Sequence, residues 1–182
     1  MSEDRELVID RLYERHPGVT RALGDSYTEA ASVCWSRHHQ PPVTVVVKRR
    51  GADEQRVVNF TLPDARTRAA HANEIDATEA GAYGVSLAAM EDMEGLVAVG
   101  RAETLTGADW YVAPNGTSLE DLEGCIRLEV SGTSAGTSAE INRRLLEKIA
   151  QASRGESNLP AIASVVGFKA LEVAISPVVE RA

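Results

Sequence analysis

Glu129 lies alone among apolar residues in Ile126-Arg127-Leu128-Glu129-Val130-Ser131, about twenty residues after Asp109 in Gly107-Ala108-Asp109-Trp110-Tyr111-Val112. If both segments are strands, their side chains alternate between two faces. Arg127, Glu129 and Ser131 then share one face, and Ile126, Leu128 and Val130 the other. Asp109 and Tyr111 share a face opposite Trp110 and Val112. Antiparallel pairing of the two strands brings Asp109 and Glu129 together on a polar face near one end of the sheet. Carboxylates so close repel unless a cation or a proton joins them. A hard divalent ion such as Mg²⁺ takes one or two carboxylates and completes its shell with substrate phosphate. Bound there, it would polarise the phosphate and lower the pKa of its water.

Two helical positions extend this set. At 100° per residue, Ile75, Glu79, Ala82, Ser86, Ala89 and Met93 fall on one stripe, which predicts that Glu79 faces the sheet and needs a partner there. In a later helix Ile141, Leu145, Ile149 and Ala152 form the apolar stripe, with Lys148 at its edge. That position can return a cationic nitrogen to the carboxylates. The candidates are thus Asp109, Glu129 and Lys148 as catalytic residues, and Glu79, Asp109 and Glu129 as metal ligands. Each also has a purely structural reading. Asp109 can cap its Thr-x-Gly-Ala turn, Glu129 can pair with Arg127 or a cross-strand base, Glu79 can complement a helix dipole, and Lys148 can lay its stem along the core.

The elements that must position these residues read as follows. Residues 4–15 are expected to be helical on Leu7, Val8, Ile9 and Leu12, and residues 19–38 on Val19, Leu23, Tyr27, Ala30 and Cys34. Pro41-Pro42 stops the second segment, and its His38-His39 pair reads as surface or capping residues. A hairpin follows: Val43–Lys48, a turn at Gly51-Ala52-Asp53, and a return over Val57–Leu62. A long helical stretch runs from Asp64 to Met93, with Thr78 as a candidate cap for its second half. Strands are predicted over 96–103, 108–113 and 125–131, with a polar loop at 114–124. Thr137-x-x-Glu140 reads as a capping box for a helix reaching Ala152. Strands over 160–168 and 170–176 close the chain. The expected fold is α/β: a mixed central sheet flanked by helices, in which residues 1–63 attach helices and a hairpin to a helix-strand-strand-strand-helix-strand core at 64–182, all in one domain.

Bulk properties narrow the function classes. The chain has 182 residues, 43% hydrophobic and 25% charged, as ordinary globular proteins do. No apolar run is long enough for a membrane span, and the acidic start Met1-Ser2-Glu3-Asp4 does not suit a signal peptide. Cys34 and Cys125 lack metal-ligand spacing and read as buried thiols, so a cytoplasmic location is expected. The net charge of −8 weighs against strong unaided DNA binding. There is no phosphate-loop glycine pattern and no nucleophile elbow. The apolar hairpin leaves an edge that a partner protein or a second copy of the chain could cover.

Three strings together, Ala77-Thr78-Glu79-Ala80-Gly81-Ala82-Tyr83-Gly84, Thr106-Gly107-Ala108-Asp109-Trp110-Tyr111 and Arg127-Leu128-Glu129-Val130-Ser131-Gly132, resemble a group of uncharacterised bacterial proteins whose layout is similar to the PD-(D/E)XK nuclease-like superfamily. The resemblance spans about residues 64–170 and implies DNA or other phosphodiester hydrolysis with Mg²⁺. It matches Asp109 to the first acid, Glu129 to the second, and Glu79 to a helix acid that some members use. Ser131 stands where lysine is expected, and no proline precedes Asp109. Some members of that superfamily are catalytically silent binding or scaffold subunits. The resemblance therefore implies two functions, a metal-dependent nuclease or a silent subunit of a bacterial assembly.

Overall fold

A computed structural model describes residues 5–104, 106–118, 120, 122–155 and 157–178. The acidic start at residues 1–4, parts of the expected 114–124 loop, and residues 105, 156 and 179–182 lie outside the described residues. Helices α1 (Leu12–Arg15), α2 (Arg21–Ser36), α3 (Ala65–Ala70), α4 (Glu74–Glu94) and α5 (Ser138–Ser153) accompany seven strands. The strands are β1 (Val43–Arg49), β2 (Ala52–Val58), β3 (Leu96–Arg101), β4 (Trp110–Pro114), β5 (Ile126–Thr133), β6 (Ala161–Gly167) and β7 (Glu172–Val178). They form one mixed sheet in the order β2-β1-β7-β6-β5-β4-β3. The fold is α/β, a central sheet flanked by helices, as the sequence leads one to expect.

The core that carries the candidate residues is α4-β3-β4-β5-α5-β6. Strands β3, β4 and β5 are an antiparallel meander, and α5 connects β5 to its parallel neighbour β6. Helices α2 and α4 cover one face over a large cluster that includes Trp35, Trp110, Leu128 and Phe168. Full burial of each such side chain contributes about 1.5–3 kcal/mol. On the other face, Ile141 of α5 packs on Val165 and Ala174. The α5 capping box forms as read: Thr137 accepts from the Glu140 N–H, and the Glu140 carboxylate accepts from the Thr137 N–H. Close packing is built on glycine where α4 crosses β5, since a Cβ on Gly132 would come within 2.9 Å of the Thr78 carbonyl oxygen. No helix among the described residues is long and apolar enough to cross a membrane.

Four local expectations are corrected. Residues 5–11 are not helical: the Leu7 N–H donates to Val57 O at 2.9 Å and the Val57 N–H to Arg5 O at 3.0 Å, beside β2. Leu7 and Ile9 are buried and Val8 is exposed, which is a period of two, and the α-helix is confined to one turn at Leu12–Arg15. The hairpin turn lies earlier, at Arg50-Gly51, with φ of 35° and 80°. Two consecutive left-handed residues suit a tight two-residue hairpin. The return strand is consequently the polar edge segment 52–58 rather than Val57–Leu62. The long helical stretch breaks at His71–Asn73. The Asn73 side chain caps α4 by accepting the N–H groups of Ile75 and Asp76, and Thr78 is an interior, buried position of that helix.

The hairpin's edges are also used within the chain. β1 pairs with β7 in parallel, and the segment before α1 lies against the Val57 end of β2. At the opposite edge of the sheet, the loop between α1 and α2 covers β3. The Gly18 N–H donates to Ala98 O at 2.8 Å, and the Ala98 N–H donates to Nδ1 of the fully buried His16 at 2.9 Å. A Cβ on Gly18 would meet the Val99 carbonyl carbon at 2.4 Å, so only glycine permits this approach.

Candidate functional site

The β4–β5 register pairs Trp110 with Leu128 and Tyr111 with Arg127. The regular pairing ends there: the Asp109 N–H donates to Leu128 O at 2.9 Å, one residue out of that register, which holds Asp109 beside the Leu128–Val130 stretch of β5. The carboxylate turns away from its own turn and toward β5, where Oδ2 accepts the Val130 N–H at 2.8 Å. The reading of Asp109 as a cap for its own turn is set aside by this geometry.

Oδ1 of Asp109 reaches the other face. It lies 2.9 Å from the Tyr83 hydroxyl, which is also 2.8 Å from Glu79 Oε1. Tyr83 and Glu79 are four residues apart on α4 and so share a helix face. Burial, then the Asp109 charge and the hydrogen bond to Glu79, push the Tyr83 ionisation far above its ordinary value, so the phenol keeps its proton. One proton meets two carboxylate oxygens. The three oxygens form a set that is short of hydrogen, where an added cation or proton would be stabilised.

Glu129 is buried, with 2% exposure, and is not locked to Arg127. Its Oε1 accepts from Lys148 Nζ at 2.6 Å, and Lys148 also reaches Gln151. Burial first, and then the Asp109 charge, raise the Glu129 pKa, while Lys148 opposes the shift. The edge position of Lys148 on α5 thus delivers a cation to the carboxylate, as the helical stripe suggests. Ser131 receives a second α5 cation, Arg144 Nη1 lying 3.5 Å from its hydroxyl. Arg127 is spent on structure instead, donating to the carbonyls of Thr106, Ala152 and Leu159 and tying α5 to the β4 approach.

Glu79 departs from expectation. It is exposed rather than sheet-facing, although Ala77 and Thr78 beside it are buried, because Thr78 and Ala82 are the α4 residues that approach Gly132 of β5. It joins the site from the rim through Tyr83. Two residues missed in the sequence complete the arrangement. Tyr83 could have been found from its i+4 relation to Glu79. Arg101, paired with Trp110 in the β3–β4 register, holds its guanidinium 4.7 Å from the Tyr83 ring centre and 5.1 Å from that of Trp110.

Asp109 lines two clefts. One, of about 600 Å³, lies between α4 and α5 and includes Glu79, Tyr83, Ser131, Arg144 and Lys148. The other, of about 470 Å³, includes Arg101, Glu129, Gln151 and Arg154. Among the described residues no three His, Cys, Asp or Glu side chains converge as a ready cation cage. The donor set is two carboxylates that line one cleft, Asp109 and Glu129, and a third, Glu79, linked to Asp109 through the Tyr83 hydroxyl. That fits an ion which keeps several waters and binds through one or two carboxylates plus phosphate, as Mg²⁺ does. Comparison of the chain with protein-family models, with curated proteins and with solved structures found no match.

Proposed function

We propose that this chain is a Mg²⁺-dependent hydrolase of phosphodiesters, nuclease-like in its chemistry. The observation that supports the reading is that Asp109 and Glu129 line one cleft, near enough for the Asp109 charge to raise the Glu129 pKa, with Lys148 on the buried Glu129. Asp109 and Glu129 would hold the ion, and Glu79 would assist from the rim. When bound, it would supply phosphate polarisation and an acidified water. The protein's own part is orientation. The Val130 N–H fixes Asp109, and Tyr83 links Asp109 to Glu79. Lys148 opposes the burial that favours the neutral form of Glu129, and with Arg144 it offers positive charge to a phosphate in the larger cleft.

A second reading has its own support. Both Asp109 oxygens already accept hydrogen bonds, Glu129 already has an ammonium partner, and Ser131 replaces the lysine of the resembling pattern. These features suit a catalytically silent binding or scaffold subunit. Incubation of linear and circular DNA and of RNA with the protein in Mg²⁺ or Mn²⁺ separates the readings. Cleavage by the wild type that disappears in Asp109→Asn supports the hydrolase. Retained nucleic-acid binding with no cleavage in either metal supports the silent subunit.

A further inference from the structure

A cleft of about 720 Å³ lies apart from the carboxylate site and shares no lining residue with either of its clefts. It opens where two runs of chain part. Val57 spends both of its main-chain groups on the segment before α1, its N–H on Arg5 O and its carbonyl on the Leu7 N–H. Burial alternates beyond it, with Val58 and Phe60 buried and Asn59 and Thr61 exposed, so the run stays extended past the end of β2. Period two then turns the main-chain groups of Asn59 and Thr61 to the side that Val57 uses. The earlier segment does not follow them, since Ile9 O takes the Thr28 hydroxyl at 2.9 Å instead. Among the described residues, Asn59, Phe60, Thr61 and Leu62 consequently make no main-chain hydrogen bond. Their run is nevertheless held in place. Phe60 stacks on Trp35 at 5.7 Å, and Asp64 caps α3.

Charge and shape decide the occupant. Four carboxylates line the cleft, Asp10, Asp25, Glu29 and Asp64, against the single cation Arg11, which lies 2.6 Å from Glu14. Arg21 and His71 reach Asp25 and Glu29 only through contacts on carboxylates that are more than half exposed, and water screens such contacts. The carboxylates do not converge on one point: no three His, Cys, Asp or Glu side chains meet among the described residues. Negative charge spread along a groove suits positive charges spaced along a chain rather than one ion. Unpaired main chain at the end of an edge strand suits an added strand. Leu62, 45% exposed on the same wall, offers an apolar contact.

We infer that this cleft receives an extended peptide segment rich in lysine or arginine. The segment pairs with the main chain of Asn59–Leu62 and sets its cations against the α2 carboxylates Asp25 and Glu29. This docking site stands independently of the phosphodiester reading.

Fluorescence anisotropy tests it with a fluorescein-labelled octapeptide in which lysine alternates with valine and threonine. Wild type should bind this peptide saturably. The same peptide with every second backbone nitrogen methylated keeps its charge and loses strand donors, and should bind about tenfold more weakly. Thr61→Pro, which removes an outward N–H at an exposed position, should weaken binding by about the same factor. Asp25→Lys and Glu29→Lys, both on the solvent side of α2, should each weaken it about fivefold. Glu147→Lys on α5, with the same change in net charge, should leave it unaltered. The lysine variants lie at exposed positions, so they keep the test valid if Thr61→Pro disturbs the fold. No saturable binding by wild type, equal affinity for the methylated peptide, or equal weakening by Glu147→Lys overturns the docking site.

Discussion

Asp109 accepts the backbone N–H of Val130 through Oδ2 at 2.8 Å, one residue past Glu129 on the neighbouring strand. An acid that precedes its own strand is thereby fixed by the strand that carries the other acid. The site is a property of the β4–β5 pairing rather than of either segment, and its outer contacts are supplied by α4 and α5.

The Tyr83 hydroxyl holds Asp109 and Glu79 with a single proton. Tyr83→Phe should cost about 1–2 kcal/mol in urea denaturation, since a hydrogen bond to a charged acceptor is lost. In a double-mutant cycle with Asp109→Asn, a coupling of about 1 kcal/mol is expected. Additive effects would mean that the two residues do not communicate.

Lys148 is the counter-charge to a carboxylate that water barely reaches, with side-chain exposures of 23% for Lys148 and 3% for Glu129. Removing one partner of a buried pair leaves an uncompensated charge. Lys148→Met should therefore destabilise by about 3 kcal/mol. Adding Glu129→Gln should recover most of that loss, because the carboxamide is neutral. A single variant as stable as wild type in chemical denaturation would show that the pair contributes nothing.

How far the sequence discloses this site follows from the range of the forces involved. Period-two alternation in Ile126–Ser131 and the helical stripe of α5 are local, and they place Glu129 and Lys148 correctly. The extended run at residues 5–11 depends on pairing with Val57, some fifty residues away, and Leu7, Val8 and Ile9 alone do not distinguish it from a helix. The exposure of Glu79 is not legible in its stripe, because α4 is buried on several sides and the approach of Thr78 and Ala82 to Gly132 is set by tertiary packing. Arg101 reaches Tyr83 only through the β3–β4 register, which has an irregularity between Ala98 and Gly100.

Cys34 provides a pH test of the core that covers α4. Burial pushes its thiol from 9.0 up to about 11. The folded state thus holds this proton more tightly than the unfolded state. The resulting stability is fully present below about pH 9 and is lost as pH rises toward 11, amounting to about 2–3 kcal/mol. Cys34→Ala should flatten the decline in unfolding free energy over that window. An unchanged slope would place the thiol in contact with solvent. The corresponding loss from Tyr27, raised to about 12, falls at higher pH.

The central claim is that Asp109 and Glu129 hold a divalent cation, and calorimetric titration of Mn²⁺ into the protein measures it most directly. Wild type should show saturable binding, accompanied by a rise in Tm. Asp109→Asn, which preserves shape and removes charge, should abolish both, while Glu79→Gln at the rim should weaken binding less. No saturable heat in wild type, or the same isotherm in Asp109→Asn, would contradict the account.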